Sequence, residues 1–256
     1  MRLLRCVLLC AVCLVHVQCE SQGNQSTSPA ASASASKALA DTTHYVCGDG
    51  YRLRYVLDSP ADPEADEKYP LLVCLHGKGG GTHAPRAFEQ IGGPPCFVLA
   101  PSVPPQEFSW SDIRRNGLPY VFELIDDLLE TEPIDPDRIY VTGQSMGGFG
   151  TFGAVAMRPD FFAASVPVCG GWRTDEAACM HEVPMWIFHG DADKVVPAQY
   201  SRDMVKALRE AGGTPRYTEY EGVGHNSWVN AYGSEELWVW LFKQRRKPAD
   251  SPLGVR

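Results

Sequence analysis

Five short apolar runs, each closed by glycine, proline or a polar turn, punctuate the chain: Leu71–Leu75, Cys96–Ala100, Arg138–Thr142, Ala164–Val168 and Met185–Phe188. Runs of this length without alternation predict strands buried on both faces, the signature of a parallel sheet. Ahead of them Tyr51–Leu57 alternates polar and apolar positions, which predicts an early antiparallel strand, and residues 58–69 follow as a polar loop. Apolar residues at helical spacing predict helices over Tyr120–Glu130, Met146–Met157, Ser201–Ala211 and Glu235–Lys243, the third stopped by Gly212. Arg216–Tyr220 is the last predicted strand. Strands alternating with helices imply an α/β fold with a mostly parallel, doubly wound sheet. No internal repeat is present. At 256 residues the chain suits a single core, which we place at residues 44–246 with a flexible tail over 247–256.

The ends of the chain change that picture little. Arg2 and Arg5 precede an apolar run from Cys6 to Val17, after which the sequence turns polar. That order predicts an export signal over residues 1–19, and the run is short of the roughly 20 apolar residues a membrane span needs. The expected location is secreted or periplasmic. Lipidation of Cys13 or Cys19, which would tether the protein to a membrane, is the alternative. Residues 20–43, with Ala/Ser low complexity over Ala30–Ser36, read as a disordered linker.

Past residue 19 there remain 21 basic and 31 acidic residues, an acidic balance that argues against nucleic acid as a partner. Five cysteines remain, Cys47, Cys74, Cys96, Cys169 and Cys179, an odd number that cannot all pair within the chain. Cys74 and Cys96 sit inside apolar runs and read as buried thiols, whereas Cys169 and Cys179 flank a loop and would bridge in an oxidising compartment. No spacing resembles a zinc site.

The chemistry centres on Gly143-Gln144-Ser145-Met146-Gly147, which lies between a predicted strand and a predicted helix. A serine on such a turn is thrust out of the sheet edge, and the helix start beyond it aims backbone N–H groups at developing negative charge. Serine alone is a weak nucleophile, so a base and an orienting acid are expected. Phe188-His-Gly-Asp-Ala-Asp ends a strand and offers Asp193 as the acid, with Asp191 as competitor. His225, in Gly224-His-Asn-Ser-Trp, is the expected base, because no other histidine follows the acid. Leu75-His-Gly-Lys-Gly-Gly-Gly follows a central strand and suits an oxyanion loop. The Met146 and Lys78 amides are the expected donors, with Gly79 a near alternative. Read as a phosphate cradle, that glycine run lacks the Gly-Lys-Ser/Thr ending. His76 and His189, each in a His-Gly pair, read as shape-setting residues at strand ends, and His44, His83 and His181 have no catalytic context. Trp110, Trp172 and Trp228 fall in loops expected at the same edge. They are candidates to bind substrate, with plain packing as the competing reading.

These motifs, from Leu75-His-Gly-Lys-Gly-Gly to Gly-His-Asn-Ser-Trp, resemble the esterase and predicted-peptidase branch of the α/β-hydrolase superfamily. The branch includes feruloyl-esterase-like, polyhydroxyalkanoate-depolymerase-like and phospholipase/carboxylesterase-like enzymes, and it borders the catalytic domains of prolyl oligopeptidases. The resemblance covers about residues 45–245 and implies an α/β-hydrolase fold with Ser145 as nucleophile, Asp193 as acid and His225 as base. Such folds often carry a lid between the strands here read as Ala164–Val168 and Met185–Phe188. The interval from Cys169 to Pro184 is too short for one, which implies an open cleft. The expected activity is hydrolysis of a small or polymer-attached carboxylic ester (hydroxycinnamoyl, acetyl or polyester) with no metal or organic cofactor. A peptidase with the same triad and a non-catalytic binding protein on the same fold are the rival readings. The stretch before residue 45 is too short for the propeller of prolyl oligopeptidases, which weighs against the peptidase.

Overall fold

A computed structural model of the protein describes residues 43–246 except 62, 65, 105, 106 and 113. The expected export signal, its lipidation, the linker up to residue 42 and the tail lie outside the described residues. Among those described, no helix is long and apolar enough to cross a membrane.

The strands are β1 (Thr43–Val46), β2 (Arg52–Asp58), β3 (Tyr69–Leu75), β4 (Phe97–Ser102), β5 (Ile134–Gln144), β6 (Ala164–Val168), β7 (Trp186–Gly190) and β8 (Arg216–Tyr220). They form one sheet in the order β1-β2-β4-β3-β5-β6-β7-β8. Pairing is antiparallel for β1 with β2 and β2 with β4, and parallel from β4 onward. The helices are α1 (Ala84–Gln90), α2 (Leu118–Thr131), α3 (Met146–Met157), α4 (Ala177–Met180), α5 (Gln199–Glu210), α6 (Trp228–Tyr232) and α7 (Glu235–Leu241). This is the α/β-hydrolase fold expected from the sequence.

The unbroken apolar runs are explained by which face each residue meets. Successive strand residues point to opposite faces, and both faces of the central strands are covered. Leu71, Val73 and Leu75 of β3, with Ile139 and Val141 of β5, join the core under α2, α3, α4 and α5. Leu72 and Cys74 of β3, Tyr140 of β5 and Phe188 of β7 join the core under α1, α6 and α7. Four elements went unread in the sequence: β1 at the sheet edge, and the short helices α1, α4 and α6.

The order of the sheet also places the site. From β3 the chain moves outward to β4 and then returns across β3 to β5, so the connections leave in opposite directions on either side of the β3–β5 pair. A crevice opens at the carboxyl ends of strands where connections diverge in this way. The loop after β3 and the residue after β5 both lie there.

Helix α3 approaches this edge closely because its inner face is glycine. A Cβ on Gly147 would stand 2.1 Å from the Leu75 carbonyl oxygen, and one on Gly150 would stand 2.4 Å from the Trp110 Cβ. Gly150→Leu would therefore force the helix off the sheet. We expect it to cost about 3 kcal/mol, at the upper end for overpacked cores, read as a lowered urea midpoint. An unchanged midpoint would show that the contact is not tight.

Candidate active site

Ser145 stands between β5 and α3 with φ 55° and ψ −119°, in the left-handed half of conformational space that a non-glycine residue enters only at a cost. Its amide donates to the Val168 carbonyl at 3.0 Å and lies 3.3 Å from the Cys169 sulfur. A Cβ on Gly143 would stand 2.5 Å from the Gly147 carbonyl oxygen and 2.8 Å from that of Leu75. Only glycine at 143 and 147 lets β3, β5 and α3 converge beneath the serine.

The Ser145 Oγ lies 2.9 Å from His225 Nε2, and His225 Nδ1 lies 2.7 Å from Asp193 Oδ2. Asp193 accepts only, so Nδ1 carries the imidazole proton and the bare Nε2 faces the serine hydroxyl. The second carboxylate oxygen of Asp193 accepts the Val195 and Val196 amides at 2.8 and 2.9 Å. Burial opposes ionisation of Asp193, but the His225 hydrogen bond and those two amides outweigh it and hold the carboxyl below its ordinary range. The arrangement contains a hydroxyl, a base positioned to take its proton, and a fixed anion behind the base.

Asp191 and Asp193 occupy different places. Asp191 turns its Oδ1 to the Gly222 amide at 2.7 Å and so ties down the loop that carries His225, while Asp193 meets the imidazole. A Cβ on Gly190 would fall 2.2 Å from the Val223 carbonyl oxygen, so the His225 loop rests directly on the end of β7.

The loop after β3 comes against Ser145, since a Cβ on Gly77 would lie 3.8 Å from the Ser145 Cβ. It is held by His76, whose Nδ1 donates to the Gly77 carbonyl at 2.7 Å and whose Nε2 accepts the Val103 amide at 3.1 Å. Lys78 follows Gly77 directly, with its side chain exposed. Met146 opens α3 and has no helical carbonyl for its amide. Gln144 adds a tie that the sequence did not suggest: its Nε2 donates to the Gly81 carbonyl at 3.2 Å, bracing this loop against β5. The signal for it was only its place inside the serine motif.

The three tryptophans separate. Trp110 is not a cleft residue, contrary to expectation: it is fully buried, donates Nε1–H to the His76 carbonyl at 3.0 Å and packs on Gly150. Its polar flanks in the sequence concealed a core side chain. Trp172 is half-buried, with its Nε1–H on Glu176 and its ring over Gly153. Trp228 lies beside the triad of contacts, its ring 5.4 Å from the His225 ring and nearly perpendicular to it, and it stacks on His83 at 5.4 Å. Cys169 and Cys179, read as able to pair only in an oxidising compartment, are not bridged. Both are free, Cys169 buried and Cys179 exposed. Cys169, Asp193 and His225 bring potential ligand atoms within 4.8 Å of one another. Burial pushes the Cys169 thiol up to about 12, and a protonated thiol is a poor metal ligand, while Asp193 and His225 are already spent on each other.

A family model for phospholipases/carboxylesterases matches residues 102–234. The crystal structure of a thermostable esterase is 38% identical and superposes with a TM-score of 0.73, covering 80% of this chain and 63% of that one. Poly(3-hydroxyalkanoate) depolymerase C of Paucimonas lemoignei is 31% identical over 118 residues, 40% of this chain and 28% of that protein. In both comparisons the chain spans less than two thirds of the relative's own length. An acylaminoacyl peptidase of Pyrococcus horikoshii shares the fold at a TM-score of 0.68 and 14% identity, covering 82% of this chain and 43% of that one.

His76 and His189 both sit below the ordinary histidine value of 6.5, because burial outweighs the hydrogen bonds that favour the charged ring. The unfolded chain therefore binds more protons than the folded one between 6.5 and those lower folded values. Stability is complete above that window and is lost as pH falls through it. We expect the urea midpoint to drop as pH is lowered from neutral through the ordinary histidine value of 6.5 and below. A midpoint that is level over that range would contradict the burial of these two rings.

Proposed function

Since the chain belongs to the phospholipase/carboxylesterase family, we propose that it hydrolyses carboxylic esters through a covalent acyl-enzyme on Ser145. The observation that carries this reading is the continuous run of short contacts from the Ser145 Oγ through His225 to Asp193, 2.9 Å and 2.7 Å, at the carboxyl edge of the sheet.

His225 Nε2 takes the hydroxyl proton as the Ser145 Oγ attacks the ester carbonyl. The carbonyl electron pair moves to oxygen, which the Met146 and Lys78 amides receive. This donation strengthens as charge develops and so favours the transition state over the ground state. The intermediate collapses, the C–O bond to the alcohol breaks, and the alcohol leaves with the proton held by His225. Water then gives a proton to His225 and its oxygen attacks the acyl carbon. Collapse returns the proton to Ser145 and releases the carboxylic acid. Asp193 fixes the tautomer of His225 and stabilises its charged form in both halves. Every step uses side chains and backbone of this chain.

The open edge supports an exposed ester as substrate, acetyl, hydroxycinnamoyl or polyester. Between β6 and β7 the chain forms only a three-residue 3-10 turn, Thr174–Glu176, and the four-residue α4, so nothing there roofs Ser145. Trp228, its ring 5.4 Å from that of His225, is placed to bear on a flat acyl or alcohol group, and Trp172 remains a second candidate for such a contact. Export through residues 1–19 is part of the proposal.

Hydrolysis of short-chain and hydroxycinnamoyl p-nitrophenyl esters, set beside aminoacyl amides, tests the reading. We expect ester turnover, a loss of about 10⁴-fold or more in kcat/KM for Ser145→Ala and about 10⁴-fold for Asp193→Asn, and fluorophosphonate labelling of the wild type but not of Ser145→Ala. Amide turnover without ester turnover would favour the peptidase, and folded wild type that resists the probe would favour a binding protein.

A further inference from the structure

His189, in β7, is fully buried, and its ring has partners at both nitrogens. Nε2 lies 2.9 Å from the Val196 carbonyl oxygen and 3.3 Å from Asp193 Oδ2. Both of those are acceptors, so Nε2 carries a proton. Nδ1 lies 2.7 Å from the Ser201 Oγ, which is also 2.9 Å from the Gly170 carbonyl. A neutral ring has one proton, already placed on Nε2, so Nδ1 accepts, and the single Ser201 proton is shared between Nδ1 and the Gly170 carbonyl. Only a charged ring would leave that hydroxyl wholly to Gly170.

The position of His189 matters because of what Asp193 needs. A carboxylate has about four acceptor sites. Two on Oδ1 take the Val195 and Val196 amides, and one on Oδ2 takes His225. His189 Nε2 stands 3.3 Å from that same Oδ2, while its hydrogen bond goes to the Val196 carbonyl. Val196 closes the loop, giving its amide to Asp193 and taking the His189 proton on its carbonyl. At the far end Ser201 reaches Gly170, where a Cβ would stand 2.5 Å from the Gly148 carbonyl carbon in the first turn of α3. One ring thus joins the acid loop, α5 and the segment behind the nucleophile.

We propose that His189 is a positioning residue for ester hydrolysis at Ser145: as a neutral Nε2–H donor to the Val196 carbonyl, anchored through Ser201, it holds the loop whose Val195 and Val196 amides set the Asp193 carboxylate for His225, without bringing a competing charge. This rests on the triad reading above. A charged ring 3.3 Å from Oδ2 would share the anion with His225 and weaken its support of the imidazolium. The charged and titratable groups around His189 are Asp193 on its own loop, His225 beyond it and Glu219, its register partner on β8. Glu219 is itself engaged by Arg202 of α5 and Tyr217. Burial keeps the ring neutral against these anions.

Two amides separate the ends of the ring. In His189→Asn the shorter amide stays near Ser201 and vacates the Asp193 end, whereas in His189→Gln the longer amide places an N–H near the former Nε2. We expect His189→Asn to lose about 10- to 100-fold in kcat on a p-nitrophenyl ester, the scale of a misplaced catalytic group, with KM little changed. The acid limb of its kcat/KM profile should move to higher pH, because an Asp193 carboxylate less firmly held by the Val195 and Val196 amides keeps more charge on the Oδ2 that faces His225. His189→Gln should recover most of the loss. Unchanged kcat and acid limb in both variants would overturn the proposal, as would a loss confined to KM. Where a variant fails to fold, 15N NMR of the wild-type histidines decides instead. The neutral Nε2–H tautomer of His189 near neutral pH supports the proposal, and a charged ring or the Nδ1–H tautomer ends it. Ser145→Ala, assayed alongside, separates the two failures: turnover surviving in it defeats the triad itself, while its loss beside a normal His189→Asn defeats only the role of His189.

Discussion

Holding a serine at φ 55° costs on the order of 1–3 kcal/mol, and the packing around residue 145 leaves the chain no relaxed alternative. The Ser145 amide is pinned to Val168 on the neighbouring strand, where Cys169 also takes a positive φ of 42°. Gly143 and Gly147 admit the carbonyls of Leu75 and Gly147 itself at distances no Cβ would allow. Gly150 lets the buried Trp110 wedge between α3 and the loop after β3, and that indole in turn fixes the His76 carbonyl. The small residues that permit the strained turn are the ones that bring α3, β3 and β5 to a common point. The same convergence sets a helix start, with its unpaired amides, beside the serine hydroxyl.

The acid side is built on a different constraint, a buried anion. An ionised carboxylate removed from water is expensive unless its acceptor sites are filled, and Asp193 fills them with two amides of its own loop and the imidazole of His225. The neighbouring Asp191 spends its charge on the Gly222 amide and so secures the loop that delivers His225. Two carboxylates two residues apart thus divide the work, one orienting the ring and one orienting the loop that carries the ring. Both depend on Gly190 being small enough for Val223 to lie across the end of β7.

The central strands were legible because burial on both faces leaves unbroken apolar runs: Ala164–Val168 matches its strand end to end. The edge strand Arg216–Tyr220 and the helix Met146–Met157 also match theirs. The serine motif was legible because strand, glycine and helix start are all local. What the sequence concealed was decided by distant contacts. Helix α1 and helix α6 are too short to show a period, and both are held by packing into the same core on one face of the sheet. Trp110 sits among polar neighbours and is buried only because Gly150, forty residues on, leaves it a slot. Asp193 was the sequence's choice of acid over Asp191, and the path of the loop after β8 gives each a separate partner, the Gly222 amide for Asp191 and His225 for Asp193. Gln144 and Ser201 carry no motif of their own, and their roles appear only when the strands are assembled.

The account turns on whether the acyl group passes through Ser145. Mixing the enzyme with a slowly deacylated p-nitrophenyl ester, quenching in acid within the first turnover and mapping the peptides by mass would show this directly. The account predicts a burst of about one equivalent of nitrophenol and the acyl mass on the peptide containing Ser145. Steady release without a burst while the acyl group is found on no residue, or an adduct on another side chain, would contradict it.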